Sequence, residues 1–168
     1  MKKIISLILI IFTAIALNAQ INTNIFGVIL GKSSPQDVKI ALNQRGYRYQ
    51  ETTTYHFIGI HPIEGANFSG VKWEEVFFYF HSNKLYQIIF VKHPNGYSSQ
   101  EVTFSLLKDK LRKKYRSLFD IENNEAVLYR DRKNEIMLSI DDNTNIIRLS
   151  YINSYLYRLK SQSEIDDL

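Results

Sequence analysis

The chain of 168 residues contains no cysteine. That absence excludes a disulfide framework, a cysteine-ligated zinc site, an iron–sulfur cluster, a thiol nucleophile and an anchor on an acylated cysteine. Proline and glycine are few, at three and seven, and no linker or low-complexity stretch interrupts the chain. Neither sign of charge forms a dominating block: 21 Lys+Arg stand against 17 Asp+Glu, a net charge of +4. No apolar run reaches the roughly 20 residues that a membrane-spanning helix needs. Apolar and aromatic residues are plentiful. A hydrophobic fraction of 45% against 23% charged excludes global disorder, and 11 Tyr and 10 Phe accompany a single Trp. The length suits one domain of ordinary size or two very small ones.

The N-terminus reads as an export signal. Met1-Lys2-Lys3 precedes the apolar run Ile4 to Leu17, which closes on Asn18-Ala19-Gln20. Cleavage is expected after Ala19, with Ala16 as the runner-up; a buried N-terminal helix or an uncleaved anchor is the plainer alternative. Removing residues 1–19 leaves 168 − 19 = 149 residues and takes Lys2 and Lys3, so the charge becomes 19 − 17 = +2. A nearly neutral exported chain lacks the field that nucleic acid binding requires. Its location is periplasmic or secreted on this reading. The expected domains are the signal at 1–19, a single α+β domain over 20–155 and a polar tail over 156–168.

Local signals place the elements. Ile25 to Leu30 reads as a short buried strand. Ser34 suits an N-cap, Pro35 the first helical position, Asp37 the first turn and Gly46 the left-handed residue after the helix, which predicts a helix over 35–45. Tyr47–Gln50, Thr53–Ile60, Trp73–Phe80 and Leu85–Lys92 read as strands, the last two joined by a hairpin with Asn83 in a left-handed conformation. Pro62 to Gly70 reads as a loop with short extended pieces. Ser98 with Glu101 has the pattern of a capping box, and Phe104, Leu107, Leu111, Tyr115 and Leu118 line one face of a helix over about 99–116. Ala126–Arg130, Glu135–Ile140 and Ile146–Ile152 complete the strands; the C-terminus reads as a fraying helix docked by Leu156 and Leu159. The order β-α-β-β-β-β-α-β-β-β with a C-terminal helical tail has too few helices for parallel crossovers. It predicts an α+β fold, a mainly antiparallel sheet packed by two helices. Helix-then-strands occurs twice, a faint internal repeat.

Three stretches carry a resemblance: Phe26 to Val38 (FGVILGKSSPQDV), Phe68 to Trp73 with Val76 to Phe80, and Leu107 to Tyr115 ending Lys-Lys-Tyr. The chain resembles small exported proteins of Gram-negative bacteria without an assigned function, whose fold is like that of the β-lactamase-inhibitor proteins and the small outer-membrane lipoprotein A domain. The resemblance implies that fold, an envelope address and a non-catalytic binding role. Two departures stand against it: such inhibitor proteins usually carry disulfides and the lipoproteins an acylated Cys, and this chain has neither.

Most candidate chemical motifs dissolve on inspection. Gly31-Lys32-Ser33 lacks the earlier glycine of a phosphate loop, since that position is Phe26. His56, His61, His81 and His93 have no metal-ligand spacing. Asp141, Asn143 and Asn145 alternate like a calcium loop, yet its glycine and closing glutamate positions are Ile146 and Ile152. Glu74 and Glu75 are strand neighbours and point to opposite faces. No serine sits in a nucleophile elbow. The basic run Lys108 to Arg116 is the solvated back of an amphipathic helix, with contact to anionic lipid as a secondary use. No cofactor, metal or catalytic residue is therefore assigned.

The aromatic strand is the informative feature. Val76, Phe78 and Phe80 should face one side, and Trp73, Phe77 and Tyr79 the other. One face meets the helices; the other requires a cover, which this chain's own segments, a second chain or a ligand would supply. Trp73, Phe77 and Tyr79 are the candidate protein-contact residues, because Tyr and Trp suit surfaces that are part apolar and part wet. The functional expectation is an exported non-catalytic binding domain whose partner is a protein or an envelope component. The alternative is a small periplasmic hydrolase with a His-centred site.

Overall fold

The computed structural model describes residues 20–52, 57–60, 65–141 and 143–166. The expected signal over 1–19, together with His56 and His61, lies outside the described residues. In chain order the elements are β1 (Asn24–Ile25), β2 (Val28–Ile29), α1 (Pro35–Gln44), β3 (Tyr49–Thr52), β4 (Phe57–Ile60), β5 (Ala66–Phe68), β6 (Val71–Trp73), β7 (Glu75–His81) and β8 (Lys84–Lys92). Then follow α2 (Tyr97–Tyr115), a 3₁₀ turn (Arg116–Leu118), β9 (Phe119–Glu122), β10 (Ala126–Arg130), β11 (Asn134–Asp141), β12 (Ile146–Asn153) and α3 (Ser154–Asp166). The fold is α+β, with three helices among the described residues. No described helix is long and apolar enough to cross a membrane.

Eight strands form one antiparallel sheet in the order β3-β4-β7-β8-β12-β11-β10-β9. The faint internal repeat acquires a physical form in this order. A helix followed by a four-stranded meander occurs twice: α1 with β3-β4-β7-β8, and α2 with β9-β10-β11-β12. The last strands of the two meanders pair at the centre of the sheet, Ile88 opposite Tyr151 and Phe90 opposite Leu149. The β5–β6 hairpin is an insertion in the first unit, between β4 and β7.

Local chemistry accounts for the helix ends. Ser34 Oγ accepts from the Asp37 N–H at 3.2 Å, and the Asp37 carboxylate accepts from the Ser34 N–H at 2.8 Å. The bond from the Ser34 N–H, and then one from the Ser34 hydroxyl to Asp37 Oδ2 at 2.9 Å, hold the Asp37 carboxyl below the usual range. The expected capping box at Ser98 and Glu101 does not form. α2 begins at Tyr97 after Gly96, whose φ of 88° turns the chain into the helix without a side-chain cap. Ser98 therefore lies inside the first turn. The β7–β8 turn is built by Ser82 and Asn83, both left-handed at φ 47° and 60°, which matches the twist of a two-residue hairpin.

One core cluster lies between the sheet and the helix layer. Val38 and Leu42 of α1, Phe104, Leu107 and Leu111 of α2, and Val76, Phe78, Ile88, Phe90, Ile136, Leu138 and Leu149 of the sheet all join it. α3 lies on the opposite face, across β7, β8, β11 and β12. Its first turn is fixed by Asn153, whose Oδ1 accepts from the Leu156 N–H at 3.1 Å, and by Ser154 Oγ donating to Glu135 Oε1 at 3.0 Å. Leu156 is buried, whereas Leu159 is 41% exposed, so the first of the two expected anchors docks. The expected C-terminal helical tail is thus a helix that starts at Ser154 and covers part of the second face.

Candidate functional site

Alternation along β7 sends Val76 and Phe78 into the core and leaves Phe77 and Tyr79 half-buried on the second face. Register brings two β4 residues beside them: Phe57 is opposite Tyr79 and Gly59 opposite Phe77. The Phe57 ring centroid lies 5.4 Å from those of both Phe77 and Tyr79, edge-on to the former. Gly59 makes this row possible: a Cβ there would stand 3.2 Å from Phe77 Cδ1. The Phe77 ring thus occupies the space above the glycine and shields its backbone. A register shift between Tyr79 and Phe80 turns Tyr86 onto the same face. Tyr86 then links Tyr79, at 6.4 Å, to Tyr157 of α3, at 6.2 Å.

The row therefore has a covered end and an open end. At the covered end Tyr86 is 4% exposed beneath α3. Burial, followed by the neighbouring Tyr79, Glu164 and Tyr157, pushes its phenol up to about 12. Burial and then Glu75 raise Tyr79 in the same direction. At the open end Phe57, Phe77 and Tyr79 keep part of their rings in solvent and carry no charge at physiological pH. Three uncharged rings in mutual contact form a preorganised apolar surface with one hydroxyl, the chemistry that recurs at the centres of protein interfaces.

Trp73 does not share this surface. The strand expected over Trp73–Phe80 breaks at Glu74, so Trp73 ends β6 while Phe77 and Tyr79 belong to β7. Trp73 is fully buried on the helix side of the sheet, with its ring 5.4 Å from Phe90 and Nε1–H donating to the Phe68 carbonyl at 3.2 Å. Beside it Phe68 stacks on Phe90 at 4.5 Å. The hairpin that carries both rings closes the core, and Lys110 of α2 donates to the Ser69 carbonyl at its turn, 2.9 Å away. Trp73 is removed from the contact residues because it is sealed in that core. Phe57 takes its place; its position in an aromatic stretch was visible in the sequence, its pairing with β7 was not.

The remaining candidate residues disperse. Glu74 accepts from Lys92 Nζ at 2.6 Å and from the His93 N–H at 3.1 Å. Burial raises its carboxyl, but Lys92 and the His93 N–H outweigh burial and hold it below its usual value. His93 Nε2 lies 3.6 Å from Glu75 at the surface, whereas His81 ends β7 at the far end of the sheet. Among the described residues neither histidine makes a hydrogen bond to a serine hydroxyl, and no group of three His, Asp or Glu is placed to hold a metal. Asp141 Oδ1 accepts from the N–H groups of Asn143 and Thr144, the geometry of a hairpin turn. In the basic run of α2, Lys108 and Arg112 both pair with Glu122 of β9.

Comparison with protein-family models, with curated proteins and with solved structures found no match.

Proposed function

We propose that this protein is an exported, non-catalytic binding domain of the cell envelope, which holds a protein or envelope component on the open end of its second sheet face. The observation that carries the reading is the contiguous, half-exposed row Phe57–Phe77–Tyr79, next to the part of the same face that α3 covers. A row of rings that merely completed a core would be sealed on both sides, as Trp73 and Phe90 are. The leader-like segment before Gln20 and the resemblance to small envelope proteins support the address. Rigid rings lose little conformational entropy on binding, so such a row supplies anchor contacts at low cost.

The test is a comparison of complexes recovered from envelope extracts with the wild-type chain and with F77S/Y79S. The variant should keep its circular dichroism spectrum and lose the specific partner. Recovery of the same partner in the same amount with the folded variant would overturn the reading.

A further inference from the structure

A second feature stands apart from the aromatic row. Three turns meet at the end of the sheet where β8 begins and β12 ends: the β2–α1 turn, the β7–β8 hairpin and the β10–β11 turn. They enclose a cleft of about 1050 Å³. Lys32, Lys84, Arg132 and Lys133 line it, with Asp131 as the lone carboxylate. Four cations against one carboxylate give +3, compared with +4 for the 168-residue chain and +2 once residues 1–19 are removed. Positive charge is thus gathered in one concave place, where the field is focused rather than dispersed.

The four cations are uncommitted. Elsewhere Lys39, Lys92, Lys108, Arg112, Arg130, Arg148 and Lys160 are held by carboxylates. None of the four cleft cations has an ion pair among the described residues. Asp131 makes no ion pair with them, since both of its oxygens accept from backbone N–H groups. Its Oδ2 accepts from the Ile21 N–H at 2.8 Å, and its Oδ1 from the N–H groups of Lys133 and Asn134 at 2.7 and 2.8 Å.

The floor of the cleft is rigid. Asn153 Nδ2 donates to Asn134 Oδ1 at 3.3 Å while its Oδ1 caps α3. Gly31 packs against this amide so closely that a Cβ would stand 2.7 Å from Asn153 Nδ2, and its φ is +83°. Gly31 also donates to the Leu85 carbonyl at 2.7 Å, and Leu85 donates to Ser33 at 2.8 Å. The backbone that carries Lys32 is therefore locked to the start of β8, close to Lys84. Leu118 and Leu156 add apolar wall beside the charges.

We infer that this cleft binds a phosphate-bearing anion with an apolar body. Three of the four cations are lysines, compact point charges from separate turns. That arrangement suits the several acceptor directions of a phosphate better than the flat fork of a carboxylate, which arginine matches. The volume lies at the upper end for ligand sites, so a bare phosphate would leave the apolar wall unused.

The test uses the purified full chain and lauryl phosphate below its micellar concentration, followed by amide NMR. The amides of Lys32, Asn153 and Leu156 should shift together, with weaker binding of inorganic phosphate and weaker binding in high salt. K32Q/R132Q should lower the affinity about tenfold with an unchanged melting temperature; K113Q/K114Q, on α2, should leave it unchanged. Capture by phosphatidylcholine vesicles doped with phosphatidic acid, lost in K32Q/R132Q, would assign the phosphate to a membrane lipid. Binding of lauryl phosphate without vesicle capture would assign it to a free ligand. Absence of shifts at the three amides, or equal loss in both double variants, would overturn the inference.

Discussion

Replacing Trp73 separates a structural ring from the exposed ones. The Trp73 side chain is fully buried against Phe90 and satisfies the Phe68 carbonyl. Truncation to alanine empties that space and removes one hydrogen bond to the Phe68 carbonyl. Large aromatic truncations in cores cost about 3–5 kcal/mol, and the lost hydrogen bond adds about 1 kcal/mol. Against a total stability of roughly 5–15 kcal/mol, W73A should be marginal. Y79A removes a ring that is only half-buried and should cost about 1 kcal/mol. In urea titrations followed by far-ultraviolet circular dichroism, a slope of about 2 kcal/mol/M turns these figures into midpoint shifts of about 2 M and about 0.5 M. W73F, which keeps a ring but loses the N–H, should fall between them. A W73A midpoint within about 0.5 M of wild type would refute the placement of Trp73 in the core, and with it the division between structural and contact rings.

Three further outcomes follow from named contacts. L156A should cost about 2–3 kcal/mol and raise hydrogen exchange across 154–166, because Leu156 is the buried anchor of α3; unchanged exchange there would contradict the docking. G31A should be destabilised by about 1–2 kcal/mol or more, since φ is +83° and the new methyl meets Asn153, whereas G46A should suffer only the positive-φ strain because nothing lies within 4 Å; a calorimetric comparison decides. The Tyr86 phenol, raised in the folded state to about 12 from about 10 unfolded, favours the fold fully below pH ~10. Its contribution is lost as pH rises through about 12, amounting to about 2 kcal/mol. Y86F should remove that alkaline loss, and identical alkaline profiles for wild type and Y86F would contradict the burial of Tyr86 beneath α3.

The legible parts of the fold were those determined by adjacent residues. Ser34, Pro35, Asp37 and Gly46 begin and end α1 by local hydrogen bonds and backbone preference. The apolar face of α2 follows from the spacing of Phe104, Leu107 and Leu111, and the left-handed preference of Asn83 marks the β7–β8 hairpin, although Ser82 turns left-handed as well. The break at Glu74 was not legible, because the aromatic alternation runs on through it; what ends β6 is the pairing of Val71–Trp73 with Ala66–Phe68, a tertiary choice. β9 escaped notice because Phe119 and Ile121 stand exposed on an edge strand, without the half-buried pattern that marks a strand. Of the candidate contact residues, Phe77 and Tyr79 share a surface as alternation predicts, while Trp73 does not, since alternation fails at a break in the strand. The cleft cations come from three turns far apart in the chain, and only the sheet order brings them together.

The claim that the second face carries the binding surface is tested most directly by placing a photo-crosslinking amino acid at position 77 in cells and comparing it with position 113 on α2. A discrete adduct is expected from position 77 and none from position 113. No adduct at 77, or the same adducts from both positions, would contradict it.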